Sequence, residues 1–260
     1  MRAIRQLTAL TIGAALLSGA ACTAAPDAPQ PSPSTLDVNV AALREAATAL
    51  TTTSYSFEST DQWSTVRIGQ VDPKSGNGWF TTTASRFSAA VDVVSIGPDR
   101  WIRLHGRPEG LGTAFDSLPT EWVRLDPVKL SRRPAGHELF GAWDSMFLGG
   151  ASDPGNSGAL FRRIRSVRKI ESGHYTGAFD LFNDLPDAGT AADRAPFEAT
   201  LDERGRLTML SWQLDLPVGS PSGGRVRTTY SGFGQPIDIA APPATAAPDL
   251  YYDYLRYISH

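Results

Sequence analysis

The sequence predicts an α+β fold in which one curved antiparallel sheet, a half-barrel, wraps over a few helices. Three observations predict it. Apolar residues recur at spacings of three and four near residue 40, alternate with polar ones over residues 54–126 and again after residue 163, and return to helical spacing between these two regions. Runs of strands with segregated helices are typical of α+β proteins, and nothing in this order requires a parallel crossover.

The first predicted helix covers residues 38–51. Asp37 stands where an N-cap residue is expected, because its short side chain can accept a hydrogen bond from a free backbone N–H group. An apolar stripe follows along one helical face, formed by Leu36, Val40, Leu43, Ala47 and Leu50. This stripe is the surface that we expect to face the core.

An antiparallel meander is predicted over residues 54–126. Tyr55 and Phe57 alternate with polar residues, and Val66, Ile68 and Gln70 alternate with Arg67 and Gly69. The turn sequences SGNG (75–78) and GPD (97–99) separate further alternating segments. Each segment is therefore expected to be one strand of the same sheet.

The second half of the chain repeats the pattern of helix followed by strands. A helix is predicted over residues 137–148 and a short helical turn over 158–162. Strands are predicted at 163–171, 174–182, 196–203, 206–216 and 225–231, with Gly205 supplying the positive φ of a tight hairpin. Residues 245–260 form a C-terminal tail with four of the seven tyrosines.

The N-terminal residues 1–21 have the organisation of a secretory signal peptide. Arg2 and Arg5 precede an apolar run, and small residues lead into Cys22, the single cysteine of the chain. A cysteine at this place resembles a bacterial lipobox, so we expect Cys22 to be lipidated. Gly19 departs from the usual aliphatic residue of a lipobox, and the alternative is an ordinary leader cut after Ala21 or near Ala25.

Residues 22–35 are expected to be a flexible tether between the lipidated cysteine and the folded region. They are rich in Pro, Ala and Ser and lack apolar residues that could offset the entropy cost of ordering. The expected location is the extracytoplasmic face of a bacterial plasma membrane, with the lipid anchor as the membrane contact. The apolar run of the leader is too short for a transmembrane span.

Composition and motifs argue against several classes of function. Without residues 1–21 the chain holds 22 basic and 27 acidic residues, whereas a nucleic-acid-binding domain carries a basic patch. The sequence has no G-x-S-x-G nucleophile elbow, and residues 110–115 lack the lysine of a phosphate-binding loop. No histidine stands at metal-ligand spacing from another: the four are His105, His137, His174 and His260. We therefore predict no enzymatic activity, no cofactor, no metal and no nucleic acid.

Four segments resemble the actinobacterial LppX/LprG-type lipoproteins, whose fold is similar to that of the carrier LolA. They are LREAATALTTTSYSFE (43–58), VDVVSIGPDRWIRL (91–104), PFEATLDERGRLTMLSWQLD (196–215) and TTYSGFGQPIDIAAPPA (228–244). The resemblance covers about residues 36–244, which we take as a single LolA-like domain. Loop 106–136 and the Tyr-rich tail depart from the family pattern.

The resemblance implies an apolar cavity between sheet and helices that holds acyl chains, and a role in carrying lipids or lipoglycans across the cell envelope. Of the family's functional positions only the lipidated Cys22 carries over residue by residue. The candidates for lining the cavity are apolar residues expected to face inward: Phe57, Phe80, Val91, Val93, Ile102, Leu104, Trp143, Phe147, Phe179, Leu181, Leu210, Trp212 and Leu214. The alternative is that these residues fill an ordinary core.

Two further features have alternative interpretations. The helix 137–148 is either a lid over the cavity or a core helix, and Trp143→Asp distinguishes the two. If the helix is a lid, the variant stays folded and loses lipid uptake. If it is a core helix, the variant loses cooperative unfolding. The basic run at residues 162–169 either meets anionic headgroups or is a solvated strand edge. The first functional hypothesis is an amphiphile-binding envelope lipoprotein. The second is a non-enzymatic lipoprotein with a filled core that binds a protein partner or acts as an envelope sensor.

Overall fold

The computed structural model describes residues 34–61, 65–84, 89–105, 117–131, 153, 155–180, 194–214 and 224–258. Within these ranges the helices are α1 (Thr35–Ala49), α2 (Pro127–Ser131), α3 (Ser157–Arg162) and α4 (Asp249–Ile258). The strands are β1 (Tyr55–Thr60), β2 (Thr65–Asp72), β3 (Asn77–Ala84), β4 (Ala89–Ile96), β5 (Asp99–His105), β6 (Val123–Leu125), β7 (Ile164–Glu171), β8 (His174–Asp180), β9 (Arg194–Leu201), β10 (Leu207–Leu214), β11 (Gly224–Ser231) and β12 (Thr245–Ala246).

These strands form one twelve-stranded sheet in the order β12-β6-β5-β4-β3-β2-β1-β11-β10-β9-β8-β7. Neighbours are antiparallel except for β12, which runs parallel to β6. One meander comprises β1 to β6, the other comprises β7 to β11, and the two join where β1 pairs with β11. The sheet is curved and not closed, with β7 and β12 at its edges. The predicted α+β class and half-barrel sheet are confirmed.

Helix α1 begins three residues before its predicted start, and its N-cap is Ser34, not Asp37. The Ser34 hydroxyl accepts a hydrogen bond from the Asp37 N–H at 3.2 Å, and the Asp37 carboxylate accepts one from the Ser34 N–H at 3.2 Å. This reciprocal pair is a capping box, in which the acidic residue occupies the third helical position. The predicted stripe is buried at Leu43 and Leu50, whereas Leu36 at the first turn is 43% exposed.

Aromatic rings hold α3 against the second meander. Phe161 of α3 lies 6.1 Å from Phe179 and 6.2 Å from Phe197, and the latter two rings stack at 4.2 Å. Arg44 of α1 donates to the carbonyls of Phe161 (3.1 Å) and Arg162 (3.4 Å). These bonds satisfy carbonyl groups at the end of α3 that have no partner within that helix. Helices α1 and α3 thus define the inner face of the sheet.

Part of the C-terminal tail belongs to the same fold. β12 extends the sheet beside β6, and Tyr251 and Tyr252 of α4 are both buried in the hydrophobic core. The Tyr252 hydroxyl accepts a hydrogen bond from the backbone N–H of Asp126 at 2.7 Å. The predicted helix 137–148 lies outside the described residues, as do residues 1–33.

Candidate functional site

Eight of the candidate cavity residues are buried in the main hydrophobic core of the described chain. They are Phe57, Phe80, Val91, Val93, Ile102, Leu104, Phe179 and Leu210. Trp212 is partly buried and packs against this core. Leu214 is the last residue of β10. The other candidates lie outside the described residues: Cys22, Trp143, Phe147 and Leu181.

The core residues fall into two regions with different surroundings. Phe179 lies in the second meander, where the Phe161 ring of α3 covers it and where α1 packs on β7 and β10. Phe57, Phe80, Val93 and Ile102 lie in the first meander. No described helix packs on the inner face of β2 to β5 as extensively as α1 packs on β7 and β10. The first meander therefore carries the apolar surface with the fewest described helical contacts.

We name the apolar residues across this surface the inner row. In adjacent strands from β6 to β1 the register aligns Val123, Ile102, Val93, Phe80, Gly69 and Phe57. Gly69 lacks a side chain, and the Phe57 ring and the Phe80 side chain, on the two neighbouring strands, occupy the space that a Cβ atom at Gly69 would need. Close packing of neighbouring aromatics over a strand glycine keeps the apolar surface continuous.

A second aligned set, the polar row, crosses the inner face beside the inner row. It consists of Thr82, Arg67, Ser59 and Thr228 on β3, β2, β1 and β11. The Ser59 and Thr228 hydroxyls are 2.9 Å apart and both residues are buried. Apolar residues continue this row at both ends, with Val91 beside Thr82 and Leu210 beside Thr228. The polar row is thus enclosed in an otherwise apolar face.

Arg67 is the charged member of the polar row. Its side chain is only 13% exposed, and its Nη2 lies 3.7 Å from Oδ2 of Asp61, whose side chain is 8% exposed. Burial lowers the pKa of Arg67, and the Asp61 carboxylate opposes that shift. A guanidinium keeps its charge under such a shift because its ordinary pKa lies far above neutral pH. The inner face therefore carries the largely buried Arg67–Asp61 ion pair next to a continuous apolar surface.

Sequence alternation alone did not identify Arg67 as an inner residue. In β2 the apolar Val66 and Ile68 alternate with Arg67 and Gly69, and the usual rule puts the apolar set inside. The structure has the opposite arrangement, with Ile68 49% exposed and Arg67 on the inner face. The pairing of Gly69 with Phe57 and Phe80 decides this orientation.

Asp153 forms a buried polar cluster at the start of α3. Its carboxylate accepts hydrogen bonds from the Ser157 hydroxyl (2.9 Å), the Gly158 N–H (2.7 Å) and the Tyr230 hydroxyl (3.4 Å). Burial raises the pKa of Asp153, although the hydrogen bonds act to lower it. The cluster satisfies the first N–H groups of α3, so its role is structural.

The outer face of the second meander has a groove of about 470 Å³. Its lining residues include the charged Arg168, Glu198 and Arg225 and the small Ser166, Ala178 and Ser211. It is open to solvent and combines both signs of charge. These properties suit a polar peptide segment better than an acyl chain.

The outer face of the first meander carries a cluster around Asp92. This carboxylate accepts hydrogen bonds from Arg103 (2.6 and 3.1 Å) and from Thr81 (2.8 Å). It is also hydrogen-bonded to the His105 ring. Burial raises the pKa of Asp92, but the bonds from His105, Arg103 and Thr81 outweigh it, and the pKa is lower than usual. Arg103 also lies over the Trp122 ring at 4.8 Å.

Asp92→Asn is expected to lower the free energy of unfolding by about 1 kcal/mol at pH 7, because Arg103 and His105 are partly exposed and solvent weakens their interaction. The carboxylate has a lower pKa in the folded chain than in the unfolded chain. Its stabilisation is therefore present above the ordinary pKa of Asp and is lost as pH falls through the folded pKa. Urea unfolding between pH 7 and pH 3 should show the difference between the two proteins shrinking below about pH 4. A difference that is constant over this range would contradict the assignment.

The described residues contain no group of three or more His, Cys, Asp or Glu side chains that could hold a metal ion. Among the described helices none is long and apolar enough to cross a membrane. The candidate site is the inner face of the first meander, because a continuous apolar row lies there beside the Arg67–Asp61 pair. No protein-family model matches the chain, and no curated protein matches it.

Proposed function

We propose that the protein is a lipoprotein anchored through Cys22 at the extracytoplasmic face of a bacterial plasma membrane, where it binds an amphiphile inside a LolA-like half-barrel. The resemblance to the LppX/LprG-type lipoproteins, carried by the segments quoted above, supports this proposal. Carriage of the bound molecule across the envelope is part of the same proposal.

One observation carries the proposal most directly. The inner row forms a continuous buried apolar surface across β1 to β6, and it borders a buried polar row that contains Arg67. An acyl chain gains roughly 0.8 kcal/mol for each CH₂ group that it buries, so apolar contact alone can hold it. An amphiphile also has a polar end, and the inner face offers polar groups next to the apolar ones.

The test uses the full chain with Cys22→Ala, so that its own anchor contributes no acyl group. The protein is purified from its native host and examined by native mass spectrometry, with organic extraction of any bound molecule. We expect one amphiphile per chain. A preparation that carries no ligand and does not bind a fluorescent fatty acid saturably would contradict the proposal.

A bulky substitution on the inner face should reduce this binding. Val91→Phe adds a ring to the surface beside Thr82, and displacing about two CH₂ groups of an acyl chain weakens binding about tenfold. Ile68→Phe is the matched control, because Ile68 lies on the outer face and is 49% exposed. Both variants are titrated with the same fluorescent fatty acid, after thermal unfolding has shown that each is folded. Equal affinities would show that the ligand does not contact the inner face.

The outer groove favours a second candidate function, the binding of a protein partner by a lipoprotein with a filled core. Its charged lining residues, Arg168, Glu198 and Arg225, are suited to a polar peptide. A photoactivatable cross-linker placed at Ser166, an exposed residue that lines the groove, should then give one defined adduct in intact cells. Arg168→Glu with Arg225→Glu should abolish that adduct and leave fatty-acid binding unchanged.

A further inference from the structure

We propose that Arg67, together with the hydroxyl of Thr82, binds the acidic headgroup of the amphiphile, a carboxylate or a phosphate. The apolar chain of the ligand would then lie along the inner row, and a neutral amphiphile would bind more weakly. This inference rests on the proposed function and adds the chemical class of the ligand.

The register positions Arg67 for this role. Arg67 pairs with Ser59 on β1 and with Thr82 on β3, and both neighbours are buried on the inner face. Directly paired residues on one face of a sheet have their Cβ atoms within about 5.5 Å of each other. Arg67 therefore lies between Ser59 and Thr82 on the inner face of the sheet.

Thr82 is the independent observation that points to a ligand. The residue is 4% exposed, and its Oγ1 has no hydrogen-bond partner. Buried hydroxyl groups in proteins nearly always have a partner, and one without a partner requires an explanation. An acidic oxygen bound by Arg67 would supply the missing acceptor for Thr82.

The donor geometry of Arg67 also suits an acid. A guanidinium presents five N–H donors in a planar fork that matches two oxygens of a carboxylate or phosphate. The Asp61 carboxylate lies 3.7 Å from Nη2 and partly offsets the positive charge. A ligand acid and Asp61 would share the guanidinium, so removal of the Asp61 charge should strengthen ligand binding.

The surroundings of the polar row fit the shape of an amphiphile. Val91 and Leu104 continue the row beyond Thr82, and the inner row runs alongside it from Phe57 to Val123. A headgroup at Arg67 would leave the attached chain next to Phe80, Val93 and Ile102. Apolar contact would supply most of the affinity, and Arg67 would determine which headgroup is accepted.

The experiment measures competition with a neutral fluorophore, N-phenyl-1-naphthylamine, on the full chain with Cys22→Ala. Palmitate, hexadecyl phosphate and hexadecanol have the same chain length and differ in headgroup. We expect the two acids to bind at least about tenfold more tightly than the alcohol, the ratio expected for a hydrogen bond to a charged group. The stronger of the two acids identifies the headgroup class.

Four variants test the residues. Arg67→Met should abolish the preference for acids, and Arg227→Met, an exposed outer-face arginine on β11, should preserve it. Thr82→Val should reduce the preference severalfold, whereas Thr83→Val on the outer face of the same strand should not. Thermal unfolding checks that each protein is folded.

Asp61→Asn provides a test in the opposite direction and remains available if Arg67→Met does not fold. It should raise the affinity for palmitate and leave that for hexadecanol unchanged, a gain that a merely structural ion pair would not produce. Equal binding of acids and alcohol by the unsubstituted protein would overturn the headgroup inference and leave the proposed function intact. Failure of all three compounds and of the fluorophore to bind would overturn both.

Discussion

Phe179→Ala is expected to lower the free energy of unfolding by about 3–5 kcal/mol, the usual loss for a fully buried phenylalanine. Phe179 has no exposed surface, and its ring stacks on Phe197 at 4.2 Å and approaches Phe161 at 6.1 Å. The substitution removes the buried ring and leaves a space that the rigid sheet cannot close. It also removes the surface on which α3 packs.

Urea unfolding monitored by circular dichroism measures this loss. Ile170→Ala on neighbouring β7 is the control, because Ile170 is 49% exposed, and it should change stability by about 0.5 kcal/mol or less. A loss below about 1.5 kcal/mol for Phe179→Ala would mean that the contacts between α3 and the sheet contribute little.

Gly69→Ala is expected to destabilise the protein by about 3 kcal/mol or more, although it adds a single methyl group. A Cβ atom at Gly69 would come within 2.3 Å of the Trp79 carbonyl oxygen and 2.6 Å of the Phe80 Cβ. Neither atom is the end of a flexible side chain, so β2 and β3 would have to separate. The inner row would be interrupted at its centre.

Gly205→Ala is the matched control for this substitution. Gly205 has a φ of 75°, but a Cβ atom there meets nothing within 4 Å. Its loss should be limited to backbone strain of about 1–2 kcal/mol. Thermal and urea unfolding of both variants separates the two effects, and a smaller loss at Gly69 than at Gly205 would contradict the packing of β2 against β3.

Much of the sheet could be predicted from the sequence because its strands alternate in hydrophobicity and its turns contain glycine. Predicted strand 163–171 corresponds to β7 at Ile164–Glu171, and predicted strand 225–231 corresponds to β11 at Gly224–Ser231. The hairpin at Gly205 has the expected positive φ. Local patterns of this kind depend on residues that are close in sequence, so one chain suffices to reveal them.

The polar row could not be predicted because it depends on pairing between distant strands. Arg67 reads as a solvent-facing residue between Val66 and Ile68, and only the neighbouring Phe57 and Phe80 explain why its side of β2 is buried. Ser59 and Thr228 are 169 positions apart, yet their hydroxyls are in hydrogen-bond contact. The N-cap of α1 was misassigned for a simpler reason, since Ser34 and Asp37 are both capping residues and the structure uses both.

The junction of β1 with β11 has a consequence for how the chain folds. Every other antiparallel neighbour in the sheet is also a neighbour along the chain, so each meander can form through local contacts. The junction alone brings together positions about 170 apart, as in the pairing of Ser59 with Thr228, and closing so long a loop is slow. We infer that each meander assembles through local contacts before the two join.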